Sequence, residues 1–154
     1  MGRIAKGLVA GAAATAVLSA LMVMKSMMEL MPQLDLPKMI AGMMGAPNTP
    51  LIGWGVHVMI GVVGYGLAIA LLDNRLPGKS HWIHGALIGF GGWVVMMVMV
   101  MPMAGMGLFG MALGLMAPMM TLVLHLIFGA VLGWTYGRLS PSDQAIVHTT
   151  PRHA

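Results

Sequence analysis

Two histidines lie inside long apolar stretches of this sequence. His57 and His125 each stand about seven residues after the start of such a stretch. Within a membrane-spanning segment an ionisable side chain is costly to bury and is therefore a candidate functional group. Two imidazoles that face a common axis could bind one metal ion, or both faces of a haem iron. The competing interpretation is that each histidine only hydrogen-bonds a neighbouring helix.

Methionine is the second residue type that could do chemistry, with 20 copies in 154 residues. Its thioether is a soft ligand suited to Cu(I), but it also fills irregular apolar gaps. Met27 and Met97 take matching places near the outer ends of the first and third apolar segments. The sequence therefore predicts His57, His125, Met27 and Met97 as candidate metal ligands. Copper is favoured by the methionines, and b-type haem by the paired histidines; a methionine-rich core without cofactor is the alternative.

Four continuous apolar segments must position these side chains. They cover residues 7–31, 51–72, 83–103 and 119–139. Each has about 20 residues or slightly more, which is enough for a helix to cross a hydrocarbon core of about 30 Å. The pattern predicts an all-α, four-helix transmembrane bundle. Two shorter apolar stretches, residues 35–44 and 107–116, are expected at its outer side, the first as a short helix with Asp35 as its N-cap.

The composition supports a membrane environment and excludes several other classes. Only 8% of the residues are charged and 58% are hydrophobic, whereas soluble domains carry about 25% charged residues. The formal charge of +4 comes from a few scattered basic residues, so we expect no nucleic-acid partner. The absence of cysteine from the sequence excludes disulfides and thiolate metal sites.

The two halves of the chain resemble each other. Similar pentapeptides begin at Gly7 and Gly85, and again at His57 and His125. Shorter matches in the same order are Met31-Pro32 with Met101-Pro102, Ala46-Pro47 with Ala117-Pro118, and Tyr65-Gly66 with Tyr136-Gly137. The pattern indicates a tandem duplication of a helix pair within residues 1–139. The halves are residues 1–72 and 80–139, related by an axis along the membrane normal. A polar cytoplasmic tail, residues 140–154, follows.

Basic residues predict the orientation in a bacterial inner membrane. With both termini cytoplasmic, six basic residues lie inside and two lie outside, as the positive-inside rule expects. The inner residues are Arg3, Lys6, Arg75, Lys79, Arg138 and Arg152; the outer ones are Lys25 and Lys38. On this prediction, His81 and His84 lie at the inner interface, beside the polar turn of residues 73–79.

Lipid is the expected environment, and glycine faces suggest further partners. The glycine pairs Gly7/Gly11 and Gly85/Gly89 have the small-xxx-small spacing that lets helices associate in lipid. They could also dock another membrane subunit or a second copy of the chain. The sequence contains no recognisable nucleophile–base pair, so we expect the protein not to be an enzyme. A non-catalytic structural or partner-binding subunit without cofactor is the alternative to the metal or haem hypothesis.

Three stretches also carry a resemblance to a known family. They are residues 54–61, beginning Trp54-Gly55-Val56-His57, residues 100–110, and residues 125–137. In these stretches the chain resembles a family of small, uncharacterised bacterial membrane proteins. The resemblance implies a four-helix inner-membrane protein and brings no activity with it. Both histidines fall within its motifs.

Overall fold

The computed structural model describes residues 1–78 and 80–140, and in that part of the chain five helices dominate. They are α1 (Arg3–Met27), α2 (Leu36–Met43), α3 (Pro50–Arg75), α4 (His81–Met103) and α5 (Met116–Leu139). A short 3-10 segment, Leu108–Leu113, joins α4 to α5. The predicted tail lies outside the described residues, apart from Ser140.

Four of the helices, α1, α3, α4 and α5, are long and apolar enough to cross a membrane. The shortest has 23 residues, about 34 Å of helix at 1.5 Å per residue. Large apolar side chains such as Leu51, Phe90 and Val123 lie exposed on their outer faces, as lipid-facing side chains of membrane helices do. The all-α bundle predicted from the sequence is confirmed, and the chain is a multi-pass membrane protein.

The first helix ends earlier than the apolar pattern indicates. It stops at Met27, and the backbone turns through Glu29 and Met31, which have φ values of 53° and 50°. The Leu30 N–H donates to the Lys25 carbonyl oxygen, which closes the helix end. Helix α2 begins as predicted, because the Asp35 side chain accepts a hydrogen bond of 3.0 Å from the Lys38 N–H.

Glycines bring the helices together in two seams. In the first, α1 packs on α3: a methyl group added at Gly11 would lie 2.8 Å from the Gly61 carbonyl oxygen. In the second, α4 packs on α5: a methyl group added at Gly85 would overlap the backbone of Gly129 and Gly133. Only glycine permits such close backbone approach, which is how helices associate in lipid.

The two helix pairs meet along α1 and α5, which pack closely on each other. Their shared core consists of small and large apolar side chains: Ala10, Ala14, Ile69, Ala70, Phe128, Leu132 and Tyr136. Helices α3 and α4, by contrast, touch only sparsely. Each carries a π-helical segment, Ile60–Tyr65 in α3 and Met96–Val100 in α4. Because α3 and α4 touch only sparsely, a space remains between them. Helix α2 packs against α3 next to this space.

Candidate functional site

His57 lies on the inner face of α3, two turns after the helix begins at Pro50. Only 6% of the residue is exposed. Its Nε2 lies 3.4 Å from the Ser19 hydroxyl of α1, and the Trp54 ring packs edge-on against it at 5.7 Å between centroids. These contacts hold the ring between α1 and α3. In the tautomer in which Nε2 donates to Ser19, Nδ1 carries the lone pair that could bind a ligand.

His125 is held by its own helix. Its Nδ1 lies 2.8 Å from the carbonyl oxygen of Thr121, one turn earlier in α5. Because a carbonyl can only accept, Nδ1 must carry the proton and donate, which leaves the lone pair on Nε2. A backbone carbonyl often fixes the tautomer of a metal-binding histidine in this way. The local geometry therefore suits His125 to bind a metal through Nε2.

Both histidines line one cavity of about 390 Å³ between the two helix pairs. Helix α3 contributes His57 and Tyr65, α5 contributes His125, and α4 contributes Met96. Apolar side chains of α2 and of the residue after it form another part of the wall: Leu36, Ile40, Met43 and Met44. Two imidazoles at equivalent places in the sequence thus meet at one largely apolar cavity.

A second cavity, of about 630 Å³, adjoins the first toward the end of the bundle that holds the end of α1. His125 and Met96 line both. Its other lining residues include Lys25, whose Nζ donates to the Leu34 carbonyl oxygen at 2.6 Å. This cavity therefore joins the histidine cavity to a more polar surface.

Of the two methionines predicted as ligands, Met27 lines the second cavity together with His125, and Met97 is the chain neighbour of Met96. Met27 ends α1 with 80% of its surface exposed, while Met97 is completely buried, its sulfur 4.0 Å from the Thr121 hydroxyl. Neither is among the described residues that line the histidine cavity. Met96 is the α4 methionine among the described residues that line the histidine cavity.

A further polar cluster, which the sequence analysis interpreted as an interfacial turn, lies at the opposite end of α3. The Oδ1 atom of Asp73 lies 2.8 Å from Nδ1 of both His81 and His84. Asp73 and His84 are only 5% and 4% exposed. The signal in the sequence was the His-x-x-His spacing at the start of α4, eight residues after an aspartate. Whether these three residues form an exposed turn or a buried cluster depends on their burial, which the sequence pattern does not indicate.

Comparison with known proteins gives a family and nothing finer. No curated protein and no solved structure matches the chain. A family model, described as a family of unknown function (DUF6789), matches residues 1–147. The match spans all four long helices, both histidines and the Asp73 cluster, and the chain belongs to this family.

Proposed function

We propose that this protein binds a transition metal, copper in the first place, through His57 and His125. The observation that carries the proposal is that both histidines line one cavity between the two helix pairs. Two imidazoles, one buried and one half-buried, are the kind of donor set that copper takes. In this proposal Met96 is the methionine ligand, because it lines the same cavity as the two histidines.

The surroundings of the cavity favour a soft, monovalent ion. The walls are apolar apart from the two histidines and Tyr65, so a doubly charged ion would meet little that compensates its charge. Met43 at the end of α2 and Met44 after it line the cavity together with Met96. Thioethers and imidazoles in a site that excludes most water select Cu(I) over harder cations.

Haem is the second candidate, supported by the same pair of histidines in an apolar cavity. The glycines beside it count against a flat macrocycle. The space beside Gly61 is taken by the Thr15 side chain, and the space beside Gly92 by the Tyr65 hydroxyl. Since these glycines accommodate neighbouring side chains, they support helix packing more than they support a cofactor.

We place the protein in a bacterial inner membrane with both termini in the cytoplasm. One end of the bundle carries Arg3, Arg75 and Arg138, and the other carries Lys25 and Lys38. The first end is the cytoplasmic one by the positive-inside rule. The histidine cavity then lies toward the periplasm, where metal can reach it. The role is binding without catalysis; a cofactor-free subunit that docks another membrane protein is the alternative.

The test is a Cu(I) titration of the purified full chain in detergent, under reducing conditions, against a coloured Cu(I) chelator. We expect one copper per chain and an absorption spectrum without a Soret band. His57→Ala and His125→Ala should each weaken binding by about 100-fold or more, because removing second-shell partners alone costs 10–100-fold.

The matched control is His148→Ala, which removes an imidazole from the tail and should leave the affinity unchanged. Equal affinities in His57→Ala and His148→Ala would contradict the proposal. A Soret band that disappears in His57→Ala would replace copper by haem. A colourless protein that takes up neither Cu(I) nor added haem would leave the structural alternative.

A further inference from the structure

The Asp73 cluster joins the end of one helix to the start of the next. Asp73 lies in the last turn of α3, whereas His81 is the first residue of α4 and His84 follows one turn later. Residues three apart lie on the same face of a helix. The chain reverses direction through Gly78, whose φ of 106° is a conformation that other residues rarely adopt. The turn thus brings both imidazoles to one carboxylate.

The two imidazoles converge through their Nδ1 edges. Each Nδ1 lies 2.8 Å from Asp73 Oδ1, and the three atoms lie within 4.8 Å of one another. The ring centroids are farther apart, at 6.2 Å, and the planes are nearly perpendicular at 89°. Both Nδ1 atoms therefore point toward the carboxylate, and the rings diverge beyond it.

This spacing is close to that of a metal site. Zinc binds imidazole nitrogen and carboxylate oxygen at about 2.0–2.2 Å in a tetrahedron, so its donor atoms lie about 3.3 Å apart. The two distances of 2.8 Å to Oδ1 need to lengthen by only about half an ångström to admit the ion.

Burial of the cluster is not fully compensated. The Asp73 carboxylate accepts hydrogen bonds from both histidines, but Nε2 of His84 is buried and finds no partner among the described residues. A buried polar atom without a hydrogen bond destabilises a fold and calls for an explanation. A metal ion bound through Nδ1 would not pair this atom, so the case for the site rests on the converging Nδ1 atoms and the carboxylate.

From this geometry we propose that Asp73, His81 and His84 form a second metal site, which takes a divalent transition-metal ion, with Zn²⁺ preferred. Two imidazole nitrogens and one carboxylate oxygen suit zinc and Fe(II), whereas Ca²⁺ and Mg²⁺ need more oxygen ligands. The side chain of His81 is 31% exposed, so the ion can enter at that edge. Water can supply the fourth ligand there.

This site is independent of the copper site in position and in donor type. It has no methionine, and none of its residues lines the histidine cavity. An ion bound here would link α3 to α4, the two helices that otherwise touch only sparsely. It would therefore clamp the two helix pairs together at this end of the bundle.

The test is a Zn²⁺ titration of the metal-free full chain against a coloured zinc chelator. We expect one zinc bound at this site, with the affinity at least tenfold lower in Asp73→Asn and in His84→Gln. The double variant His57→Ala/His125→Ala, which lacks the copper ligands, should bind zinc like the wild type. Equal zinc affinities in Asp73→Asn and the wild type would overturn the proposal.

A second measurement is made on the wild type, so that zinc binding is detected without a variant and variants serve only to assign the resonances. In protein labelled with ¹⁵N-histidine, adding Zn²⁺ should shift the Nδ1 resonances of two histidines, which are assigned to His81 and His84 by the single variants where these fold. Zinc that shifts only Nε2 resonances, or leaves all histidine resonances unchanged, would contradict coordination through the converging Nδ1 atoms. This readout does not depend on whether copper binds in the cavity.

Discussion

At the scale of single residues, the donor atoms around the cavity differ in how firmly they are held. His125 is fixed by its bond to the Thr121 carbonyl, and His57 by Ser19 and Trp54. Met96 is held by packing, since it is 7% exposed within a cluster of apolar residues. Imidazoles held in place, combined with an adaptable thioether, suit a soft ion such as Cu(I).

Met96 and Met99 provide a matched pair for testing the sulfur ligand. Both belong to the π-helical segment of α4, but Met99 is 56% exposed toward lipid. We expect Met96→Leu to weaken Cu(I) binding by about tenfold, because a soft ligand is replaced by an apolar side chain of similar volume. Met99→Leu should leave binding unchanged. An equal effect of the two substitutions on the Cu(I) dissociation constant would exclude Met96 as a ligand.

At the scale of elements, α2 determines how the cavity is closed. Its apolar side chains form one wall, and its start is pressed against α3 at Gly53, where an added methyl group would overlap the Pro37 carbonyl. The N-cap of Asp35 fixes the beginning of the helix. Since a backbone contact holds α2 in place, a single methyl group can displace it.

Gly53→Ala should therefore open the cavity without removing a ligand. Overpacking of this kind costs about 1–3 kcal/mol, and we expect the apparent Cu(I) affinity to fall by about tenfold. Gly55→Ala is the control on the same helix, because no atom of the described residues lies within 4 Å of a methyl group there. Titration of both variants, with thermal unfolding as a check of the fold, measures the difference. A Gly53→Ala protein that binds copper like Gly55→Ala would show that α2 does not close the site.

At the scale of the whole molecule, each helix pair crosses the membrane twice. The start of its first helix and the end of its second therefore lie on the same side. The contacts agree with this arrangement, since Gly7 near the start of α1 meets Gly66 near the end of α3. In the second pair, His81 at the start of α4 meets Gly137 near the end of α5. The side on which these ends lie depends on the basic residues and on the membrane.

Reporter fusions can determine that side. Fusions at Gly78 and at the C-terminus should give a cytoplasmic signal, and fusions at Asn48 and Gly105 a periplasmic one, because basic residues are retained inside. A periplasmic signal at Gly78 would reverse the orientation. The Asp73 cluster would then lie on the periplasmic side, and the histidine cavity would lie toward the cytoplasm.

The sequence is sufficient to predict the helices, but not to predict which side chains each helix turns toward the inside of the bundle. Continuous apolar runs predict crossing helices, and the paired positions of His57 and His125 predict a shared site. The π-helical segments were not predictable, since Ile60–Tyr65 and Met96–Val100 are as apolar as the helices around them. A π turn adds a residue to one turn of a helix and shifts the facing of the residues after it. Met96, and not Met97, is among the described residues that line the histidine cavity.

The burial of the Asp73 cluster is unpredictable for the same reason: the sequence does not show which faces of the helices are packed inward. A polar turn beside two histidines has the same pattern whether it faces water or is buried, and only the packing of α3 on α4 and α5 decides between them. His81 lies against Tyr136 of α5, with ring centroids 5.9 Å apart. That contact joins residues 55 positions apart in the sequence, and no local signal indicates it.

X-ray absorption at the copper edge of the Cu(I)-loaded chain tests the central claim most directly, because it reports the ligands themselves. The account predicts a shell that contains two imidazole nitrogens and one sulfur, with one imidazole lost in His125→Ala. A shell without imidazole scattering, or a chain from which a chelator removes all copper as readily as from His57→Ala, would contradict it.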